Sequence, residues 1–189
     1  MIHSNLISNG QFNNAFDIEE STGLKYASME QSHSDTFLEV NKPGIYKADA
    51  LVTKQKKLIL VVKTADCMPI LLYDGEKVGV VHIGWKGLEN KIFQKTIANF
   101  DLTRLKVSIG PHARKCCYEV KEDLEKKFSQ HCVKKNNKIY LDLTKEIKEF
   151  CEFKNIELEL NEVCTIENKK YNSYRRDRTT KRQMSKVWI

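Results

Sequence analysis

Short apolar segments alternate with helical patterns along most of the chain. Residues 57–63, 69–73 and 77–83 are rich in branched apolar side chains and have the length of buried strands. The Asp74-Gly75 dipeptide is a turn signal and predicts that the last two segments pair as an antiparallel hairpin. Further strands are predicted at 105–109, 139–141, 156–160 and 184–189.

Helical spacing of apolar residues predicts three helices. They cover residues 88–100, the segment from Val120 to Phe128, and the segment from Leu143 to Cys151. Strands and helices interleave, but the predicted hairpin is antiparallel. We therefore expect an α+β fold in which mixed β-sheets carry helices on their outer faces, in a single domain over residues 1–189.

The composition favours a globular protein of the cytoplasm. Hydrophobic residues make up 41% of the chain and charged residues 30%. No run of eighteen apolar residues predicts a membrane span, and the first residues lack the pattern of a secretory signal. Because no export signal is recognisable, we expect the six cysteines to be mostly reduced and the protein to be cytoplasmic.

The positive charge is concentrated near the end of the sequence. The formal net charge is +7, and residues 169–186 hold eight basic residues and one acidic residue, Asp177. Such a segment is typical of a solvated surface, and it is equally typical of a site for phosphate, a nucleotide or nucleic acid.

Unusual polar residues occupy the ends of the predicted strands. They lie in QSHSD (31–35), TADCMP (64–69), HIGWKG (82–87), GPHARKCCYE (110–119) and YRRD (174–177). Binding and catalytic residues concentrate at such strand ends. No CxxC or HExxH pair is present, so spacing alone does not establish a metal site. Asp66 has two interpretations, a strand-end cap or a hydrogen-bond acceptor that orients a ligating imidazole.

Taken together, the motifs resemble a known family. ADALVT, ADCMPILLYD, VHIGWKG, IGPHARKCCYEV, LDLT and SYRRDRTTKRQMSKVWI follow QSHSD in this order. This set, over residues 31–189, resembles the YfiH-type laccase-domain family, also called the polyphenol oxidase family. The resemblance implies a zinc site formed by His33, Cys67 and His82. Two imidazoles and one thiolate suit a zinc ion whose fourth position stays open to water.

The resemblance also implies a reaction. The family name suggests a copper polyphenol oxidase, but the five histidines are too few for the copper centres of a laccase. Zinc is therefore the expected metal, and the resemblance implies a purine nucleoside phosphorylase that uses adenosine, inosine or methylthioadenosine and also deaminates adenosine. The usual HxE…PCxxC deaminase signature is absent.

Catalytic and binding roles follow from these motifs. Cys67, His82 and Asp66 are the expected catalytic residues. Guanidinium groups bind phosphate through paired N–H donors, so the basic segment supplies Arg175 and Arg176 as predicted phosphate ligands. The resemblance adds a second set of expected substrate or phosphate contacts: Arg114, Lys86 and Cys117.

Two other functions remain open from the residues alone. In a cysteine hydrolase, Cys67 would be the nucleophile and His82 its base. In a non-enzymatic zinc protein, a fourth ligand such as Cys117 would close the metal site, and the basic segment would bind a partner. Nucleic acid fits that segment poorly, because Tyr171 and Tyr174 are its only nearby aromatic residues before Trp188.

The sequence departs from the family pattern at two places. A Gly-rich TxRxGGxS-like element is not recognisable before Gln31, so we expect a shortened N-terminal region before about residue 30 and an altered phosphate pocket. Arg178 stands where a glycine usually follows the YRRD motif, so we expect the loop there to differ.

Overall fold

Three β-sheets form the framework of the protein in a computed structural model that describes residues 2–13 and 25–189. The strands in these residues are β1 (Ile2–His3), β2 (Gly10–Asn13), β3 (Lys25–Glu30), β4 (Phe37–Glu39), β5 (Gly44–Lys47), β6 (Ala50–Thr53), β7 (Leu58–Thr64), β8 (Met68–Tyr73), β9 (Val78–Ile83), β10 (Lys106–Ile109), β11 (Glu119–Val120), β12 (Cys132–Lys135), β13 (Lys138–Leu141), β14 (Glu157–Leu160) and β15 (Gln183–Val187). The helices are α1 (Trp85–Glu89), α2 (Ile92–Ile97), α3 (Glu122–Lys127), α4 (Lys145–Phe153) and α5 (Tyr174–Asp177).

The strand order confirms the mixed sheets expected from the sequence. In the described residues, one six-stranded sheet has the order β1-β2-β15-β7-β3-β5, and a second has the order β14-β10-β8-β9-β6-β4. Most neighbours are antiparallel, whereas β3 runs parallel to both β5 and β7, β4 to β6 and β10 to β14. The small third sheet has the order β11-β13-β12.

Apolar side chains form two layers, one on each face of the second sheet. Leu71 of β8 packs with Leu60 of β7 in the layer shared with the first sheet. The neighbouring Ile70 and Leu72 point the opposite way, into a layer that contains Phe93 of α2. Because β8 and β9 are buried on both faces, their sequences are continuous apolar runs without alternation.

The predicted hairpin is confirmed. Strands β8 and β9 pair antiparallel over their whole length, and the Asp74 carboxylate accepts hydrogen bonds from the backbone N–H groups of Glu76 and Lys77 in the turn. The predicted strands near residues 57–63, 105–109, 139–141, 156–160 and 184–189 are also present, with small differences at their ends.

The single helix predicted over residues 88–100 is instead two short helices, α1 and α2. Lys91 lies between them with φ 59°, in the left-handed region, and this conformation ends α1. Leu88 and Ile92 still reach the same apolar layer across the break. The helical spacing of apolar residues therefore continues across the turn at Lys91, although the helix itself is interrupted there.

Two further expectations concern the N-terminal region and a membrane span. Residues 14–24 belong to the N-terminal region that we expected to lack a family element, and they lie outside the described residues. Among the helices of the part that is described, none has both the length and the apolar character needed to cross a membrane.

The buried His112 makes the free energy of unfolding depend on pH. Its side chain is fully buried, and Nδ1 donates to the Gly110 carbonyl at 2.8 Å, while Nε2 has no partner among the described residues. Burial lowers the pKa of His112 from 6.5 to about 4, with Arg114 lowering it further and the Gly110 bond and Asp142 opposing the shift. The imidazole is therefore neutral in the folded protein.

Acidification should destabilise the wild-type protein more than a His112→Asn variant. Below the unfolded pKa of 6.5 the unfolded chain binds a proton that the folded chain excludes until about pH 4. The free energy of unfolding should fall by about 1.4 kcal/mol per pH unit in this window through His112 alone. Urea unfolding at pH 7, 5.5 and 4.5 measures the difference, and parallel pH profiles for the two proteins would contradict it.

Candidate active site

Three side chains from separate parts of the chain bring their ligand atoms together. The donor atoms of His33, Cys67 and His82 all lie within 4.8 Å of one another, and Nε2 of His33 is 3.6 Å from Sγ of Cys67. Cys67 directly precedes β8, and His82 lies in β9 opposite Pro69, so the hairpin places these two residues side by side. His33 arrives from the loop that follows β3.

A buried carboxylate orients this group. Asp49 is fully buried, and its Oδ1 lies 2.7 Å from Nδ1 of His82. The same carboxylate accepts hydrogen bonds from the backbone N–H groups of Ser32, His33 and Ser34 and from the Ser34 hydroxyl. Because Nδ1 of His82 donates to Asp49, Nε2 is the ring nitrogen that remains to bind a metal, which would replace the Nε2 proton.

The charges in the group favour a thiolate. Burial raises the pKa of the Cys67 thiol, but the charge of His82 and hydrogen bonds to His33 and His82 outweigh it and lower this pKa to about 6. Burial lowers the pKa of His82, but Cys67 and Asp49 outweigh it and raise this pKa to about 9. The thiolate is the form of cysteine that binds metals.

The donor set fits a transition-metal ion held by three protein ligands. Gly84 supports this fit, because a Cβ atom at this position would lie 3.1 Å from Cδ2 of His33 and 3.2 Å from Sγ of Cys67. Glycine therefore leaves the space between the two ligands clear. With two imidazoles and one thiolate, a tetrahedral ion would keep one position for a small molecule.

The three ligands open into a cleft of about 450 Å³. Its walls carry three aromatic side chains, three cations and several smaller polar groups. The lining residues are Gln31, His33, Lys63, Thr64, Ala65, Asp66, Cys67, His82, Gly84, Trp85, Tyr118, Tyr174, Arg175 and Arg182. The three candidate metal donors, flat aromatic rings and cations therefore share one concave surface.

Asp66 lines the cleft, but its carboxylate does not contact an imidazole. Oδ1 accepts the hydroxyl of Thr165 at 2.8 Å, and Oδ2 accepts the backbone N–H of Arg175 at 2.6 Å. The interpretation of Asp66 as the group that orients a ligating histidine is therefore wrong, and Asp49 has that role. Asp66 instead joins the segment before β8 to the start of α5.

The two neighbouring arginines of α5 point in different directions. Arg175 lines the cleft, where its guanidinium lies 5.2 Å from the centre of the Tyr118 ring and donates to the Glu119 carbonyl. Arg176 donates to the backbone carbonyls of residues 165, 166 and 171 and pairs with Asp177. Its guanidinium is thus used inside the fold and does not line the cleft.

The other predicted substrate contacts also lie outside the cleft. Arg114 donates to the Asn161 carbonyl and pairs with Glu162. The ammonium of Lys86 lies over the Trp85 ring, 5.6 Å from its centre, and Lys86 does not line the cleft. Cys117 contacts Cys116 and does not join the three metal ligands. Among these predicted contacts, the structure therefore brings only Arg175 to the cleft.

Sequence reasoning missed four residues that shape the site: Asp49, Gln31, Lys63 and Arg182. Asp49 belongs to the ADALVT motif and Arg182 to the basic segment, so both lie in segments that the sequence singles out, but the sequence assigns neither of them a role in the site. Arg178 adopts the left-handed conformation that glycine favours, with φ 53° and ψ 25°.

Comparisons with known proteins agree with this fold and show the family to which the chain belongs. The chain belongs to the family described as multi-copper polyphenol oxidoreductase laccase, whose model matches residues 11–189. This is a family of metal-dependent enzymes. The sequence resemblance to the YfiH-type laccase-domain family is thereby confirmed.

Individual relatives carry more specific names. The chain is 35% identical to a purine nucleoside phosphorylase of Aquifex aeolicus, over 84% of this chain and 80% of that protein. It is 36% identical to a purine nucleoside phosphorylase of Clostridium acetobutylicum, over 79% and 70% of the two chains. A crystal structure of a Neisseria meningitidis protein superposes with a TM-score of 0.79 at 28% identity, over 90% of this chain and 77% of that one.

An Asp49→Asn substitution should weaken metal binding about 10- to 100-fold, as the loss of a carboxylate behind a ligating histidine does elsewhere. The amide keeps the size of the side chain but removes the charge that holds the His82 ring. Competition with a chromophoric chelator measures the affinity. Asp35→Asn is the matched control, because Asp35 lies in the same loop and pairs with the exposed Lys95. Equal affinities of the two variants would contradict the role of Asp49.

Proposed function

We propose that this protein is a zinc-dependent purine nucleoside phosphorylase that uses adenosine, inosine and methylthioadenosine and also deaminates adenosine. The observation that carries the proposal is the single cleft in which a His-Cys-His donor set faces cations and aromatic rings. The names of the Aquifex aeolicus and Clostridium acetobutylicum relatives support the same reaction.

Zinc is the metal that suits the ligands. Imidazole nitrogen and thiolate sulfur are its usual protein donors, whereas an oxidase with several copper ions needs many more imidazoles than the five histidines supply. When bound, zinc supplies a Lewis acid at the floor of the cleft. Asp49 and the loop before it keep the two imidazoles aimed at the metal position.

The cations of the cleft provide a site for inorganic phosphate. Arg175, Arg182 and Lys63 line the same cleft and carry side chains that donate hydrogen bonds to phosphate oxygens. Arg175 is held by its bond to the Glu119 carbonyl, so its guanidinium is already positioned. This site does not include Arg176 or Arg114.

The aromatic residues of the cleft provide a surface for the purine. Trp85, Tyr118 and Tyr174 line it, and flat rings favour stacking with a base. Burial raises the pKa of Tyr118 to about 12, so its hydroxyl stays protonated and can donate a hydrogen bond to the substrate.

The reaction exchanges one bond at the sugar. The bond between C1′ of the ribose and the purine nitrogen breaks, and an oxygen of the phosphate held by the cations bonds to C1′. The phosphate gives up one proton as this bond forms, and the departing purine takes up one proton. In deamination, water replaces the amino group of adenosine and ammonia leaves. Both reactions require the substrate to lie between the aromatic surface and the metal ligands.

Zinc-loaded protein should convert adenosine and phosphate to adenine and ribose 1-phosphate, and inosine to hypoxanthine. Without phosphate, adenosine should yield inosine and ammonia only. Chromatographic separation of the products measures both activities. Absence of phosphate-dependent base release from all three nucleosides would overturn the proposal. Activity that persists without metal and disappears on alkylation of Cys67 would instead favour the cysteine hydrolase, which the low pKa of Cys67 makes the second candidate.

Removal of Arg182 should raise the KM for phosphate more than the KM for the nucleoside. Loss of a hydrogen bond to a charged group costs about 1.5–3 kcal/mol, which corresponds to an increase of about 10- to 150-fold. Arg182→Ala and Arg175→Ala are the test variants. Lys181→Ala is the control, because Lys181 is an exposed cation next to Arg182 that does not line the cleft. A similar KM for phosphate in all three variants would contradict the assignment.

A further inference from the structure

A second group of sulfur atoms lies outside the cleft. Cys116, Cys117 and Cys164 bring their Sγ atoms within 4.8 Å of one another, and those of Cys116 and Cys117 are 3.2 Å apart. We call these three residues the cysteine cluster. None of them lines the cleft or belongs to the His33-Cys67-His82 group, so the proposed function leaves the cluster without a role.

Backbone hydrogen bonds hold the two segments of the cluster together. His112 and Cys164 form a parallel β-bridge, in which the N–H of Thr165 donates to the His112 carbonyl at 3.0 Å. The turn that carries Cys116 closes when the N–H of Cys117 donates to the Arg114 carbonyl at 2.9 Å. These backbone hydrogen bonds fix the two segments that carry the cysteines, and this brings the three sulfur atoms together.

Polar groups of the chain surround the buried sulfur atom of the cluster. The backbone N–H of Arg114 donates to Sγ of Cys164 at 3.5 Å, and the Arg176 guanidinium interacts electrostatically with the same sulfur. Cys164 is buried, Cys117 is half-buried and Cys116 is exposed, so one side of the cluster faces solvent.

The thiols are poor nucleophiles in the absence of a cation. Burial raises the pKa of both Cys116 and Cys117, and the nearby Cys164 raises both further. Reactive and catalytic cysteines have the opposite property, a lowered pKa. A positive ion among the three sulfur atoms would offset the repulsion between their thiolates.

We propose that Cys116, Cys117 and Cys164 form a second metal site, which takes a thiophilic ion such as Zn²⁺ with solvent as the fourth ligand. Three thiolates select soft or borderline metals over magnesium and calcium. Tetrahedral zinc with bonds of about 2.3 Å places its sulfur ligands about 3.8 Å apart, close to the present spacing. Binding releases the protons of the three thiols to solvent as the three metal–sulfur bonds form.

An ion in the cluster would join two walls of the cleft. Tyr118, which follows Cys117, lines the cleft, and Thr165, which follows Cys164, donates to the Asp66 carboxylate. The cluster thus lies directly behind residues that shape the substrate site. Its metal has a positioning role and does not contact the substrate.

Metal stoichiometry tests the second site. Reduced, metal-free protein is titrated anaerobically with Co²⁺ and then Zn²⁺. The wild-type protein should bind two equivalents. A Cys67→Ser variant should keep one equivalent, with a thiolate-to-cobalt charge-transfer absorption about three times that of a site with one sulfur ligand. Cys116→Ser in the Cys67→Ser background should weaken this remaining site at least about tenfold.

Two comparisons keep the test decisive. Cys132→Ser is the matched control, because Cys132 is a half-buried thiol outside the cluster, and this substitution should leave both sites intact. Cys116 is exposed, so its variant tests the site without disturbing the core, and circular dichroism confirms folding. One equivalent in the wild-type protein and none in Cys67→Ser, or binding unaffected by Cys116→Ser, would overturn the proposal.

Discussion

The carboxylate of Asp49 is fully buried, and a buried charge is stable only where hydrogen bonds and an opposite charge replace its lost hydration. Three consecutive backbone N–H groups, those of Ser32, His33 and Ser34, the Ser34 hydroxyl and the imidazole of His82 supply that replacement. One acid therefore fixes the loop after β3 against strand β9. Both histidine ligands depend on this contact, and so does the shape of the cleft above them.

Backbone strain near the metal ligands is the cost of this arrangement. His33 has φ 61° and Asp66 has φ 86°, and neither is a glycine. Such conformations cost about 1–3 kcal/mol each and persist only where surrounding contacts hold them. Asp49 binds the N–H of His33, and the Asp66 carboxylate binds Thr165 and the N–H of Arg175. Two buried acids thus stabilise the two strained positions.

The central strands could be predicted from sequence because both of their faces are buried. β7, β8 and β9 are continuous apolar runs, and no competing helical pattern fits their length. β5 was missed for the opposite reason. Its sequence, GIYK, lies at the edge of the first sheet and is largely exposed, with Ile45 72% accessible. An edge strand forms because it pairs with a neighbouring strand, and the local sequence pattern does not show this pairing.

The clustering of His33, Cys67 and His82 could be predicted only through the order of the family motifs, since His33 and Cys67 are 34 residues apart and meet through the tertiary fold. The arginines show the limit of that reasoning. Arg175 and Arg176 are chemically equivalent in sequence, but α5 turns one toward the cleft and the other toward the backbone carbonyls of residues 165, 166 and 171. The basic segment is therefore not one charged surface. Arg176 binds the backbone carbonyls of an earlier turn, whereas Arg175 and Arg182 line the cleft.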